Sequence, residues 1–319
     1  MKYPDSKIVA LCGGVGGSKL ALGLNEILDQ KNLSIITNTG DDFLYLGFYI
    51  CPDIDTVIYT LAGINNPENG WGRKNETWKT LDVLKELGAD TWFKLGDKDL
   101  AVHLFRSKEK RNGILLTTIT RKISNKFGLR TNILPMSNHM VHTTLDTNIG
   151  EISFQDYFVR RKCEPVVKNI IFKSKKSVAT DAVNRALKAQ DLNGLIICPS
   201  NPYLSIDPIL SIPRIKKLIQ NLKKPRIAIS PIVDGDSIKG PTSKIMQEMG
   251  IEVSCSSIAK HYQGLIDGII IDQSDEAQVN NIEKMGIQVK LANIIVKTKT
   301  EKNKLAQESL DFLDEISKS

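Results

Sequence analysis

Gly13, Gly14, Gly16 and Gly17, followed by Ser18 and Lys19, stand between an apolar run, KIVALC, and an amphipathic stretch, SKLALGLNEILDQ. Glycines let backbone N–H groups come close to an anion, a helix N-terminus adds positive partial charge, and Lys19 can add a full charge. The chemistry this pattern suits is phosphate binding. The spacing is not that of a Walker A loop, and it departs from the dinucleotide pattern G-x-G-x-x-G because Lys19 stands where the third glycine belongs. A plain tight turn would need only one or two of these glycines. Beyond the next apolar run come four carboxylates, Asp41, Asp42, Asp53 and Asp55, in TNTGDDFLYLGFYICPDIDTVIYTLAG. Carboxylates crowd a phosphate site when a divalent cation lies between them, and magnesium is typically held by one or two carboxylates together with substrate phosphates. Asp53 follows Pro52 and reads equally as a helix N-cap or a functional group. Asp55, in the first turn of DIDTVIYTLAG, is the stronger candidate for touching a ligand.

Other segments fit around this pair. Trp71 lies between Gly70 and Gly72, with Trp78 close behind; an aromatic on such a loop reads as a stacking wall or as core. Lys94, Gly96, Asp97, Lys98 and Asp99 mix both charge signs at a helix start, either a solvated cap or a polar ligand clamp. Ser200 and Asn201, with Pro202 fixing the turn, end a buried strand and can present donors to a nucleotide. Lys239, Gly240, Thr242 and Ser243 repeat that arrangement one strand later. Loop-to-helix junctions after parallel strands converge on one crevice. His139 and His142, three apart in a loop or strand, point to opposite faces and make no zinc pair, while His103 and His261 sit in helical patterns as structural residues. There is no G-x-S-x-G elbow and no cysteine with a recognisable partner, so covalent catalysis is not indicated.

The elements that must position these residues alternate. KIVALC, LSIITN, GLIICPS, PRIAISPIV, DGIIIDQ and IQVKLA read as buried strands with amphipathic helices between them, which predicts an α/β, Rossmann-like, doubly wound and mostly parallel sheet. At 319 residues and 35.5 kDa the chain exceeds the ~250–300 residues at which one core stops growing. The expected division is a nucleotide-binding core from residues 1–75 and 163–319, with 76–162 inserted as a mainly helical subdomain covering the active site. Within it ETWKTLDVLKELG ends at Gly88, DKDLAVHLFRSKEK starts on a capping aspartate, and TNILPMS, VHTTLDT and EISFQDYF form a small antiparallel piece before the parallel core resumes near Val166.

Composition narrows the class. Hydrophobic residues at 41% and charged residues at 25% describe a folded chain, and no apolar run reaches the ~18 residues of a membrane span or resembles a signal peptide, so a cytoplasmic protein is expected. Five dispersed cysteines without a C-x-x-C pair argue against disulfides and a cysteine zinc site. The net charge of +7 suits an anionic partner. Nucleic acid is not that partner: the basic runs (Lys173, Lys175, Lys176; Lys216, Lys217; Lys223, Lys224) lack interleaved aromatics.

GGVGGSKLALGL, TNTGDD, CPDIDTVIYTLAG, WGRKNETW, KLGDKDLA, ILPMSN, ISFQDYFVRR, PSNPYLSIDPIL and SPIVDGDSIKGPTSK together resemble the 2-phospho-L-lactate transferase family, CofD, which makes the precursor of coenzyme F-420. The resemblance runs in order from Lys7 to Asp272. It implies a magnesium-dependent transferase, a homodimer. The donor would be lactyl-2-diphospho-5'-guanosine or its enolpyruvyl analogue; the ribityl hydroxyl of the deazaflavin Fo attacks the distal phosphorus and GMP leaves. It assigns Asp55 and Lys94 to contacts with Fo and Trp71 to its ring. Asp55 either accepts the hydroxyl proton or joins Asp41 and Asp42 around magnesium, and Gly13, Gly14, Gly16, Gly17, Lys19, Ser200 and Asn201 hold the guanosine diphosphate. Two departures stand out. GGVGGSK replaces GGTGTPK, removing a threonine hydroxyl and a proline, and TNTGDD replaces a T-x-E-D form. A nucleotide-sugar-binding regulator of the YvcK type would share the glycine loop but lack the Fo-binding segment, and a nicotinamide oxidoreductase would need the third glycine. Lactate, enolpyruvate and glycerate differ by a few atoms, and no motif selects among them.

Overall fold

A computed structural model describes residue 3 and the ranges 5–173 and 178–318; Lys175 and Lys176 of the basic runs lie outside the described residues. Strand β1 (Lys7–Cys12) sends Val9 and Leu11 into one core layer and Ile8, Ala10 and Cys12 into the other, which is why its sequence is an unbroken apolar run. Helix α1 (Gly14–Ile27) and β2 (Leu33–Thr37) follow. A short hairpin, β3 (Phe43–Tyr45) and β4 (Phe48–Ile50), leads to α2 (Pro52–Leu61), α3 (Lys79–Glu86), α4 (Asp97–Arg111) and α5 (Leu116–Lys126), and the chain then forms β5 (Asn132–Pro135). Next come β6 (His142–Thr147), β7 (Gly150–Ser153) and β8 (Val167–Lys173), an antiparallel sheet of their own. β9 (Leu192–Ile197), β10 (Arg226–Ile229), the small antiparallel pair β11 (Ile232–Val233) and β12 (Asp236–Ser237), β13 (Gly268–Asp272) and β14 (Gln288–Ala292) complete the strands, and the helix Lys299–Lys318 closes the described chain.

The main sheet has seven parallel strands in the order β14-β13-β10-β9-β1-β2-β5. The strand order therefore reverses between β1 and β9. Loops leaving those two strands depart in opposite directions, and the crevice between them, beyond the carboxyl ends, is where open α/β sheets take ligands. This is the α/β, doubly wound architecture the alternation predicts.

Two expectations about the middle of the chain are corrected. TNILP does not belong to the antiparallel piece: β5 pairs in parallel with β2 as the edge of the main sheet, so a core strand falls inside the 76–162 span. Pro135 obscured it, because proline lacks a ladder donor, yet at an edge that donor is not required. Conversely the parallel core does not resume near Val166; β8 pairs antiparallel with β6, and the parallel sheet resumes at β9. The helical reading of 79–126 holds, with Gly88 at φ 82° stopping α3.

The closing helix packs along α1. A methyl group on Gly23 would run into the Lys302 carbonyl and stand 3.0 Å from the Ala306 Cβ, neither of which can swing aside. Gly23→Ala is therefore expected to destabilise the fold by about 1–3 kcal/mol, read as a lower urea midpoint. An unchanged midpoint would mean that these helices are not packed so closely.

Candidate active site

The glycine turn is shaped by neighbours on both sides of the crevice. Gly14 has φ 63°, a left-handed conformation that favours glycine, and α1 begins there. A Cβ on Gly16 would stand 2.6 Å from the Pro199 carbonyl, and one on Gly17 would collide with the Ser200 hydroxyl. The Ser200 hydroxyl donates to the Gly13 carbonyl at 2.8 Å and accepts from the Gly13 N–H at 3.1 Å. Ser200 thus ties the loop after β9 to the loop after β1 across the switch point. Asn201 uses its side-chain oxygen on the N–H groups of Tyr203 and Leu204, both at 3.0 Å, while its buried Nδ2 has no acceptor.

The four carboxylates converge and are all buried. Asp53 does not cap its own helix, whose N-cap position is Cys51. It accepts from the Gly14 N–H at 2.8 Å and from Asn38 Nδ2 at 3.0 Å, placing a carboxylate at the positive end of α1. Burial nevertheless pushes Asp53 up to about 6. Asp41 and Asp42 follow Asn38 in the loop after β2. That loop is braced by the antiparallel sheet: Thr143 N–H donates to the Gly40 carbonyl at 2.8 Å, and Gln155 Nε2 to the Asp41 carbonyl at 3.2 Å. Burial raises both acids well above the usual carboxylate range. Asp41 Oδ1 and both oxygens of Asp42 accept no hydrogen bond, although the Cys51 thiol and Tyr49 hydroxyl lie near enough to influence Asp42.

Asp55 has a different environment from the one expected of a free ligand. Arg106, fully buried on α4, holds both of its oxygens, Nη1 at 3.0 Å to Oδ2 and Nη2 to Oδ1. Arg106 Nη1 also lies 3.0 Å from His103 Nδ1. His103 in turn stands between Asp55 and Asp99, at 3.7 and 3.6 Å, and Tyr59 donates to Asp99 at 2.6 Å. Burial opposes charge on Arg106, but Asp55 and its neighbours outweigh it and hold the guanidinium firmly protonated. Burial raises Asp55 while Arg106 and His103 pull it back. Asp55, Asp99 and His103 have the spacing of a metal site, yet a cation there would meet the Arg106 guanidinium already paired to Asp55.

The remaining candidates lie outside this buried cluster. Lys94 is exposed just before α4, and Trp71 is 45% exposed on its glycine loop, where Gly70 presses against Val15 of α1. Trp71 and Trp78 are thus not core residues. Asp97 does not cap α4, whose N-cap is Gly96. Its carboxylate instead accepts from Thr77 and from the N–H groups of Lys79 and Thr80 at the start of α3. Those bonds hold Asp97 down at about 2. Ser243 donates to Asp236 at 2.7 Å, and Lys239 donates to the Asn69 carbonyl at 2.8 Å. Arg106 is the residue the sequence reading missed. Asp99, His103 and Arg106 recur at i, i+4 and i+7 on α4, a polar stripe running along the helix face that also carries buried Val102.

These loops lie at the edge where open α/β sheets take their ligands, in a Rossmann-like α/β fold. Residues 8–310 match the family 2-phospho-L-lactate transferase CofD, and the chain belongs to that family. It is 37% identical over 299 residues to a 2-phospho-L-lactate transferase of Methanosarcina mazei, covering 93% of this chain and 97% of that one. Identity to the Methanosarcina acetivorans protein of the same name is 36%, covering 97% and 100%. A phosphoenolpyruvate transferase of Streptomyces griseus is 32% identical, covering 97% and 99%. The fold is shared with a crystal structure of a UPF0052-family protein from Bacillus halodurans, at a TM-score of 0.64 and 15% identity, covering 96% of this chain and 99% of that one. Among the described residues no helix is long and apolar enough to cross a membrane.

Arg106→Met would leave Asp55 buried without its counter-charge, and a loss of about 3–5 kcal/mol in urea unfolding is expected. Most of it should return in Arg106→Met with Asp55→Leu; a single-variant loss below about 1 kcal/mol would contradict a dry pair. Asp53 also predicts a pH dependence. Its folded value is raised from 3.8 to about 6, so across that window the folded state keeps a proton the unfolded chain releases, and its contribution to stability falls as pH rises. In magnesium-free buffer Asp53→Asn should therefore gain in Tm relative to the native chain between pH 4 and 6; a constant difference would refute the shift.

Proposed function

We propose that the chain transfers a 2-phospholactyl-type group from a guanosine diphosphate-linked donor to the ribityl hydroxyl of the deazaflavin Fo, giving the precursor of coenzyme F-420 and GMP. The observation that carries this reading is the cluster of buried carboxylates at the switch point, beneath a glycine turn, in a member of the CofD family. Three carboxylate oxygens there, on Asp41 and Asp42, accept no hydrogen bond, and buried acids left so are either protonated or matched by a cation. The donor set suits magnesium, with Asp41 and Asp42 as its holders and Asp53 beside them rather than Asp55, whose oxygens are taken by Arg106. When bound, the ion supplies neutralisation of the charge that develops on the diphosphate.

The chain's own residues position the two substrates. The hydroxyl oxygen of Fo forms a bond to the distal phosphorus, the bond from that phosphorus to the bridging oxygen breaks, GMP carries away the electron pair, and the hydroxyl proton passes to solvent. Such transfer depends on alignment and charge neutralisation rather than a covalent helper, in keeping with a site without a nucleophile motif. The glycine turn and Asn201, whose Nδ2 has no acceptor, serve the guanosine diphosphate; Ser200 serves it by holding the turn. Asp55, oriented by Arg106, together with Lys94 and Trp71, serves the deazaflavin. The names of the relatives divide between 2-phospho-L-lactate and phosphoenolpyruvate, so the three-carbon acid is assigned by experiment.

Purified protein with Fo and magnesium is offered the lactyl, enolpyruvyl or glyceryl guanosine diphosphate, with GMP release and the mass of the Fo product as readouts. An adduct with one of the three donors is expected, lost without magnesium and reduced roughly a hundredfold or more in Asp41→Asn with Asp42→Asn. No adduct with any donor would sink the reading. Binding of a nucleotide sugar or a nicotinamide cofactor instead would favour the alternatives.

A further inference from the structure

Lys19 does not turn toward the carboxylates: its Nζ donates to the Val296 carbonyl at 3.3 Å, on the segment between β14 and the closing helix. Lys297 follows on that segment, and Lys302 lies in the early turns of the closing helix. From another side Lys239, in the loop after β10, reaches the Asn69 carbonyl at 2.8 Å, and the adjacent Gly70 lies against Val15 in the first turn of α1. Four ammonium groups from four segments thus gather at the carboxyl edge of the sheet, beside the glycine turn.

They gather without an ion-pair partner, although the charge of Lys297 acts on the Glu301 carboxylate. Among the described residues none of the four has a carboxylate within ion-pair distance, whereas the nearby Lys299 and Lys304 pair with Glu26 and Glu308. Glu301, beside them in sequence, uses its carboxylate on the N–H groups of Lys297 and Thr298, at 2.7 and 2.8 Å. Partial burial and the repulsion of Lys239, Lys302 and Lys297 together hold Lys19 below the ordinary lysine range. A folded chain that keeps like charges together at one edge is stabilised by whatever multivalent anion neutralises them.

We infer that Lys19, Lys239, Lys297 and Lys302 form a binding site for a phosphate-bearing polyanion, beside the carboxylate cluster. The ligand class is a diphosphate or longer phosphate chain, because one monovalent anion leaves most of the charge unmatched. Lysines suit it as mobile point charges. The diphosphate belongs either to the nucleotide donor, in which case the identity of the ligand rests on the function proposed above, or to a free phosphate anion.

Titration calorimetry of the full chain with inorganic pyrophosphate, at low salt and without magnesium, tests the site. Binding is expected that weakens about tenfold in Lys239→Gln with Lys297→Gln and steeply with added salt, while Lys216→Gln with Lys217→Gln leaves it unchanged. The first pair should also unfold at an equal or higher temperature, since repulsion is removed. Repeating the titration with the guanosine diphosphate donor separates the sources. A matching loss makes the donor's diphosphate the occupant; loss for pyrophosphate alone makes it a free anion. No pyrophosphate binding at millimolar concentration, or an equal loss in the Lys216 and Lys217 control, overturns the site. Retained pyrophosphate binding with no Fo product would sink the transferase reading and leave this one standing.

Discussion

The molecule must keep several negative charges dry. Asp41, Asp42, Asp53, Asp55 and the largely buried Asp99 all lie at one edge of the sheet, and Arg106 is the fully buried cation placed among them. Removing a carboxylate from water is costly unless it is paired, hydrogen-bonded or protonated. Each of those solutions is present. Asp55 is paired, Asp99 takes the Tyr59 hydroxyl with the His103 ring 3.6 Å away, Asp53 takes the N-terminus of α1 and an amide, and Asp41 and Asp42 are left with raised proton affinity. The last two carry the proposed chemistry, because what they lack in protein partners is what a divalent ion would provide.

Holding these groups in register is the work of close backbone approach. Gly13, Gly16 and Gly17 admit Asp53, Pro199 and Ser200 to distances no side chain would allow. Gly40 similarly admits Thr143 from the antiparallel sheet to the acidic loop. The glycine-rich turn is thus a joint between strands, which accounts for glycines beyond those a tight turn requires. Arg106 extends the same logic to α4, since the Asp55 pair fastens α4 to α2.

Much of this was legible in the sequence where local pattern and burial agree. Continuous apolar runs became strands covered on both faces, and the glycine turn, the acids and Ser200 fell at one crevice because parallel strands deliver their loops to one edge. The legible part ended where a side chain's partner is distant along the chain. Nothing near Asp97 announces that it caps α3 rather than α4, and nothing near Asp55 announces Arg106. β5 was hidden for a local reason: four residues ending in proline carry too little pattern to separate an edge strand from a loop.

That same short strand limits how the protein can associate. A parallel sheet recruits further strands through its unpaired outer backbone groups. At the β5 edge only four residues are offered, and Pro135 withholds a donor from the row. Growth of the sheet into a neighbouring molecule is therefore disfavoured on that side, where Thr180 also takes up the Pro135 carbonyl.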